Sequence, residues 1–134
     1  SVDLSSASFY KENVKDFLFE GLHLCGANFT FSKLENTHFI NTDLRGADFR
    51  FSILDRCEFA NSNLAGVNFK GSFLRSTRFD NANIYDAALD IPSKTTVIAN
   101  SATLADGLST TYAISSKIVR EQLIKYFSKS VLSS

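Results

Sequence analysis

The sequence predicts a solenoid in which short extended segments alternate with tight turns, and three features support this fold class. A large apolar residue recurs at every fifth position from Leu4 to Leu89. With two interruptions, Leu and Phe alternate at these anchor positions. A small residue, such as Ala27 or Ser52, usually stands two positions before each anchor. A fixed period is typical of repeat architectures, in which one structural unit stacks on the next.

A period of five residues fits neither regular secondary structure. In a helix it would scatter the large side chains around the circumference, and in a plain strand it would alternate them between two faces. Two inward-pointing residues in every five, one large and one small, fit a short extended segment followed by a tight turn.

Several runs of the chain resemble the pentapeptide-repeat proteins. These runs include Cys25-Gly26-Ala27-Asn28-Phe29, Arg45-Gly46-Ala47-Asp48-Phe49 and Asn81-Ala82-Asn83-Ile84. The resemblance implies an all-β solenoid, the right-handed quadrilateral β-helix, in which four pentapeptides form one square coil of twenty residues. Residues 1–90 would then form about four and a half coils. The resemblance implies neither an enzyme activity nor any single function.

A coil of twenty residues predicts a core of crossed Leu and Phe ladders. The first and third walls stack the aliphatic anchors Leu4, Leu24, Leu44, Leu64 and Ile84, and Val14, Leu34, Leu54 and Leu74. The second and fourth walls stack Phe9, Phe29, Phe49 and Phe69, and Phe19, Phe39, Phe59 and Phe79. Rings in such a ladder would stack at the spacing of paired strands, about 4.8 Å. Ser32, Ser52 and Ser72 share an inward column, where each buried hydroxyl needs a hydrogen-bond partner.

The expected corners carry residues that tolerate positive φ. Gly26, Gly46 and Gly66 follow the first wall, and Gly21, Asn41, Asn61 and Asn81 follow the fourth. Such residues favour tight turns. The first coil fits less well, because Glu12, Phe17 and Leu22 occupy slots for small residues and a buried carboxylate would be costly. We expect a bulge, a distortion or a capping role there.

Residues 91–134 are expected to complete the same domain after the repeat lapses at Ile91-Pro92. The segment to Tyr112 predicts an irregular connection, with or without a short helix. From Ser116 to Leu132 an apolar stripe predicts an amphipathic helix, formed by Val119, Leu123, Tyr126, Phe127 and Val131. This helix would be a C-terminal α-helical cap that covers the open end of the β-helix, or it would form a homodimer interface.

Composition and cysteine content limit the classes of function. The net charge is zero and 44% of the residues are hydrophobic, which indicates neither disorder nor a strongly basic nucleic-acid surface. No apolar run reaches membrane-spanning length and no signal peptide is visible. Cys57 is expected to point inward and Cys25 outward on another wall, which makes a disulfide unlikely on steric grounds. Two free thiols favour a reducing, cytoplasmic compartment.

The sequence contains no motif that predicts catalysis, a cofactor or a metal site. It has no Gly-rich phosphate loop, no Cys pair at metal spacing and no Ser nucleophile with an evident base. His38, Glu58 and Arg78 share an outward column that could transfer protons, but such neighbours on a convex wall more often form a solvated charge column. We therefore expect a protein without enzymatic activity.

Four apolar residues interrupt the polar outer surface. Phe31 and Phe51 stack at one corner, and Ile53 and Phe73 lie next to them on the following wall. Burial of each large side chain is worth roughly 1.5–3 kcal/mol, so such a patch is expected to be covered. Either the C-terminal segment folds back along this wall, or the patch binds a second subunit or a partner protein through its aromatic residues.

Two function classes remain. The favoured one is a non-catalytic interaction or scaffold module that presents rigid β-helix faces to a protein partner, with no direct nucleic-acid or membrane binding. The alternative follows from one branch of the family that the sequence resembles, the DNA-mimicking proteins that protect gyrase and confer quinolone resistance. Mimicry of DNA needs a sustained negative field. Residues 1–90 instead contain nine Lys and Arg against twelve Asp and Glu.

Overall fold

A computed structural model describes residues 2–90, 97–103 and 109–114, and the regular structure of these residues is entirely β. The strands are β1 (Asn13–Lys15), β2 (Leu18–Glu20), β3 (Lys33–Glu35), β4 (His38–Ile40), β5 (Ile53–Asp55), β6 (Asn68–Lys70), β7 (Phe73–Arg75), β8 (Thr77–Arg78), β9 (Ala82–Asn83), β10 (Ala88–Asp90), β11 (Val97–Thr103) and β12 (Ser109–Ile114). Most have only two or three residues, because a turn follows each short extended segment.

Neighbouring coils pair in parallel with a constant offset of twenty residues. Strands β1, β3, β5 and β7 form one four-stranded sheet along the third wall, in which the anchors Val14, Leu34, Leu54 and Leu74 lie in register. The same offset pairs β2 with β4 and β6 with β10. On the first wall, isolated bridges link Asp3, His23, Asp43, Asn63 and Asn83. The predicted all-β solenoid with a twenty-residue coil is therefore confirmed.

The core consists of the predicted crossed ladders. Ring centroids along the second wall are 4.6 Å apart from Phe9 to Phe29 and again from Phe29 to Phe49, with rings within a few degrees of parallel. Rings on the second and fourth walls meet edge to face, as between Phe29 and Phe39 at 5.6 Å and 87°. Both arrangements are favoured by the quadrupoles of aromatic rings. The anchors from Leu24 to Leu74 are fully buried.

The inward serine column is satisfied by the backbone. The hydroxyls of Ser32, Ser52 and Ser72 donate to the carbonyl oxygens of Phe29, Phe49 and Phe69, each at 2.6 Å. Because each acceptor is the anchor three residues earlier, the hydroxyl also reinforces the corner between the second and third walls. This outcome confirms that the buried hydroxyls have partners.

The corners share one backbone conformation. Every fifth residue from Ser6 to Asp86 has a positive φ, between 48° and 70°, whether or not it is glycine. Ahead of many corners the anchor carbonyl accepts the N–H three residues on, as from Ala27 to Leu24 at 3.0 Å and from Ser52 to Phe49 at 3.2 Å. A positive φ at the third residue of such a turn is the signature of a type II turn.

On the first and second walls, Asp and Asn side chains stabilise the turns through hydrogen bonds to the backbone. The residue before the anchor accepts the backbone N–H of the residue after it, as Asn28 does from Thr30 at 2.9 Å and Asp48 from Arg50 at 3.0 Å. Short polar side chains favour such local bonds over a longer strand ladder. The third wall lacks Asp and Asn at this position beyond Asn13, and it carries the four-stranded sheet.

The first coil shows no bulge where one was expected. Strands β1 and β2 keep the twenty-residue register with the second coil, so the expectation of a distorted backbone there is wrong. Glu12 and Phe17 are exposed rather than forced into the core, and the Phe17 ring lies 4.6 Å from that of Phe19. The large residues are tolerated because they lie at the end of the described stack.

The segment after the repeat also differs from the expectation. β11 keeps the twenty-residue offset, since Val97 pairs with Thr77 and Ala102 with Ala82. β12 then returns antiparallel to β11. The predicted irregular connection is therefore wrong for 97–103 and 109–114, which are strands. The Ser, Thr and Ala residues of this segment did not indicate strands, because backbone hydrogen bonds and not large apolar anchors hold the twenty-residue offset here. The helix predicted over 116–132 lies outside the described residues.

Candidate functional site

The four apolar residues that the sequence predicts on the outer surface lie around the corner between the second and third walls. We call Phe31, Phe51, Ile53 and Phe73 the apolar patch. Phe31, Phe51 and Ile53 are 52%, 54% and 45% exposed, and Phe73 is partly buried. The rings of Phe31 and Phe51 stack at 5.1 Å with an angle of 22°. Ile53 and Phe73 are register neighbours in β5 and β7. The structure thus brings the four residues to one edge of the molecule.

The two aromatic residues of this corner occupy an unfavourable backbone conformation. Phe31 has a φ of 58° and Phe51 a φ of 59°. A left-handed conformation costs a bulky L-residue roughly 1–2 kcal/mol, and glycine or asparagine would relieve most of this cost. Among the corner residues from 6 to 86, Phe31 and Phe51 are the only apolar side chains.

Tyr10 and Gly71, which were not predicted as part of the patch, also contact its rings. Tyr10 is exposed and meets the Phe31 ring edge to face at 6.1 Å, while the Lys11 ammonium lies 5.3 Å from the Tyr10 ring centroid. The Phe51 ring packs closely against Gly71, and only glycine leaves room for it, because a Cβ at position 71 would lie 2.7 Å from two carbons of that ring. A signal was available, since Lys11, Phe31, Phe51 and Gly71 form one corner column at twenty-residue spacing.

A shallow groove adjoins the patch on the third wall. Its volume is about 500 Å³, and it is lined by Lys33, Glu35, Ile53, Asp55, Phe73 and Arg75. One side of the groove is therefore apolar, and the other is an ionic column in which Glu35 and Asp55 lie in register and Arg75 follows. Because stacked like charges repel, the two neighbouring carboxylates need cationic partners.

The carboxylates of this column are bound by arginines. Arg75 Nη2 and Nε lie 2.6 and 3.0 Å from the two oxygens of Asp55. Arg56 Nη2 lies 2.7 Å from Glu35 Oε1 and its Nε lies 3.7 Å from Asp55 Oδ1. The hydrogen bond from Arg75, which outweighs the opposing effect of desolvation, lowers the pKa of Asp55. The groove therefore holds two carboxylates whose charge is already neutralised.

The outward column of His38, Glu58 and Arg78 is formed as expected, but its members do not act as one group. Nδ1 of His38 lies 3.5 Å from Oε2 of Glu58, and both side chains are partly exposed. Arg78 pairs with Asp80 at 2.7 Å. This geometry fits a solvated charge column on a convex wall.

The cysteines occupy the predicted positions. Both are free, with Cys57 buried and Cys25 partly exposed. Burial raises the pKa of the Cys57 thiol to about 11, so this group is protonated and a poor nucleophile near neutral pH. The Cys57 thiol points to the carbonyl oxygen of Leu34 at 3.4 Å.

The described part of the molecule contains neither a cluster of metal-binding side chains nor a membrane-spanning helix. Within 2–90, 97–103 and 109–114, no three His, Cys, Asp or Glu side chains are grouped to hold a metal ion. No helix that could span a membrane occurs among these residues. The predicted cap or dimer residues, Val119, Leu123, Tyr126, Phe127 and Val131, fall outside them.

Solved structures that resemble this fold are themselves repeat proteins. A pentapeptide repeat protein from the Arabidopsis thaliana thylakoid lumen has a TM-score of 0.65 and 22% identity, over 85% of this chain and 75% of that one. Rfr23 from the cyanobacterium Cyanothece 51142 has a TM-score of 0.56 and 20% identity, over 58% and 53%. QnrB1, a plasmid-mediated fluoroquinolone resistance protein, has a TM-score of 0.54 and 24% identity, over 59% and 40%. This chain thus matches about half of Rfr23 and less than half of QnrB1, and identities this low establish the fold alone.

Sequence comparisons point to the same family. Comparison with curated proteins gave no match. The family model for a pentapeptide repeat region matches residues 1–69, and the model for pentapeptide repeats in eight copies matches residues 57–90. The coil of twenty residues, the left-handed corner at every fifth residue and these two matches agree. The chain belongs to the pentapeptide repeat family.

Proposed function

We propose that this chain is a non-catalytic protein-binding module and that the apolar patch is its binding surface. One observation carries the proposal: Phe31 and Phe51 are exposed at corners where φ is positive. Their backbone conformation destabilises the chain, and their rings gain little from burial while they face water. A protein partner that buried these rings would give the two residues a role.

The scaffold beneath the patch suits this role. Both Phe residues stand on corners fixed by the ladder below them, with Phe51 also packed against the backbone at Gly71. A surface that is ordered before binding loses little conformational entropy on association. Exposed aromatic side chains with few rotatable bonds are common binding hot spots.

The substitution Phe31→Asn with Phe51→Asn tests the proposal. Asn tolerates a positive φ and already occupies the corners at Asn41 and Asn61. We expect the midpoint of thermal unfolding to stay the same or rise, and the proteins that the immobilised chain captures from its native cell extract to be lost. Circular dichroism checks the fold, and mass spectrometry identifies the captured proteins.

A matched control changes corners on the other side of the molecule. Asn41→Gly with Asn61→Gly keeps the apolar patch and should retain the captured proteins. Retention of the same proteins by the Phe31→Asn, Phe51→Asn variant would contradict the proposal, and unfolding of that variant would show that the rings serve internal packing instead.

Protection of gyrase by DNA mimicry remains the alternative proposal. On the described walls Asp43, Asp48 and Asp55 are each bound by an arginine, which does not favour the negative field that mimicry requires. A gyrase supercoiling assay in the presence of a fluoroquinolone, with and without the chain, distinguishes the two functions. We also propose a cytoplasmic location, which the two free thiols support and which fractionation of native cells would check.

A further inference from the structure

The charges around the apolar patch are not balanced. Every described arginine forms an ion pair with a carboxylate: Arg45 with Asp43, Arg50 with Asp48, Arg56 with Glu35, Arg75 with Asp55 and Arg78 with Asp80. The described lysines, Lys11, Lys15, Lys33 and Lys70, form no ion pair with any described residue, and neither does the exposed Glu12 next to Lys11. Lys11 and Lys33 lie beside the patch, Lys11 one coil before Phe31 in the corner column and Lys33 in register with Ile53.

The groove next to the patch has the same imbalance. Its lining carries Lys33 and Arg75 against Glu35 and Asp55, and Arg56, which binds Glu35 from beside the groove, brings the total to three cations against two carboxylates. The groove therefore combines an apolar side with an excess of positive charge.

We propose that the partner presents an acidic peptide segment to this surface. Carboxylates of Asp or Glu in the segment would meet Lys11 and Lys33, while its apolar side chains would cover the apolar patch and the apolar side of the groove. Complementary charge around an apolar centre gives orientation and specificity to a protein interface. This inference rests on the proposed function, because it names the chemistry of the partner at the same site.

An acidic peptide fits this surface better than a single-stranded nucleic acid does. Aromatic rings beside cations can also stack bases, but nucleic-acid grooves follow the phosphate backbone with a continuous row of cations. Here Glu35 and Asp55 interrupt any such row, and their arginine partners are already engaged. A phosphate strand along the groove would pass both carboxylates, whereas a peptide can place its acidic residues at the two lysines alone.

The test is a selection from a displayed library of random dodecapeptides on the folded chain. We expect the enriched peptides to combine Asp or Glu with aromatic or aliphatic residues. Lys33→Gln and Lys11→Gln should each weaken the best peptide by about tenfold, the effect of losing one charge-assisted contact. Higher salt should weaken it further. Arg45→Gln makes the same change in net charge on the first wall and should leave the affinity unchanged.

The other outcomes separate the two proposals. Enriched peptides that are neutral or basic, and whose binding is lost in the Phe31→Asn, Phe51→Asn variant, would overturn the acidic partner and leave the binding surface in place. Enrichment that does not depend on Phe31 and Phe51 would overturn both proposals. Competition by an oligothymidine that is tighter than any selected peptide would assign the surface to a nucleic acid.

Discussion

At the scale of single residues, the corner position determines which side chains the solenoid tolerates without strain. Twelve non-glycine corner residues have a positive φ, and Asn, Asp and Ser account for eight of them. Short polar side chains adopt this conformation more readily than bulky ones. Phe31 and Phe51 depart from this preference, and the binding role that we propose for them rests on this departure.

The ion pairs on the walls are also properties of single residues, and they predict a dependence of stability on pH. Arg45 donates to Asp43 at 2.9 and 2.7 Å, and chiefly because of this bond the pKa of Asp43 falls to about 2. An aspartate in the unfolded chain titrates near pH 3.9. Because the folded pKa is the lower one, the pair stabilises the fold above about pH 4 and loses this effect as the pH falls toward 2.

The substitution Asp43→Asn should reduce this dependence. The pair lies at the surface, so we expect a change of only a few tenths of a kcal/mol in the difference between the unfolding free energies at pH 6 and pH 2. Asn63, one coil later, shows that an amide can still accept the turn N–H, here from Ala65 at 3.1 Å. Urea denaturation at both pH values measures the effect, and an unchanged difference would show that Asp43 contributes nothing to acid stability.

At the scale of elements, the Phe ladders of the second and fourth walls form one aromatic lattice. Phe49 is fully buried, stacks on Phe29 at 4.6 Å and on Phe69 at 5.3 Å, and meets Phe59 edge to face at 5.7 Å. Each ring therefore packs both within its own ladder and against the ladder of another wall. Removal of one ring would leave a cavity. The neighbouring coils could fill it only by shifting together, because their rings pack against one another.

Phe49→Ala should accordingly destabilise the protein by about 3–5 kcal/mol. Phe31→Ala is a matched control, since it deletes the same ring from an exposed corner, and we expect it to change the unfolding free energy by less than about 1 kcal/mol. Urea denaturation followed by circular dichroism measures both. Equal losses would mean that the exposed and buried rings contribute alike, and that the lattice is not the main source of stability.

Much of this element structure could be predicted from the sequence, because a strict period places each residue on a known wall. The ladders, the serine column and the four residues of the apolar patch follow from the five-residue period together with the twenty-residue coil that the family resemblance implies. The ion-pair partner of each arginine could not be predicted. Arg78 binds Asp80 on its own coil instead of Glu58 on the neighbouring one. Long side chains reach partners in several directions, so period and column do not determine their contacts. The contact between Phe51 and Gly71 could not be predicted for a similar reason, since it depends on the orientation of the Phe51 ring.

At the scale of the whole molecule, each coil is supported only by its neighbours. Among the described residues, the first coil exposes Val2, Phe17 and Leu18 and pairs with a neighbouring coil on one side only. In solenoids stability arises from contacts between adjacent repeats. This first coil should therefore open more readily than the coils in the middle of the described stack.

Hydrogen exchange can test this gradient with equivalent amides. The N–H groups of Leu4, Leu24, Leu44 and Leu64 donate to the next coil at 2.7 to 2.8 Å, so their bonds have the same geometry. We expect the amide of Leu4 to exchange faster than those of Leu24 and Leu44, because it opens with the first coil alone. Equal protection at all four positions would show that the coils unfold as a single cooperative unit.

The constant offset of twenty residues also bears on how the gene for such a chain can change in length. Loss of one codon inside a coil would shift every later anchor by one position and turn its side chain away from the core. Loss or gain of a whole coil would leave the pairing of all the others intact. Length variation in the repeat is therefore expected in steps of twenty codons, and each step would add or remove one complete level of every surface column, including the one that carries Phe31 and Phe51.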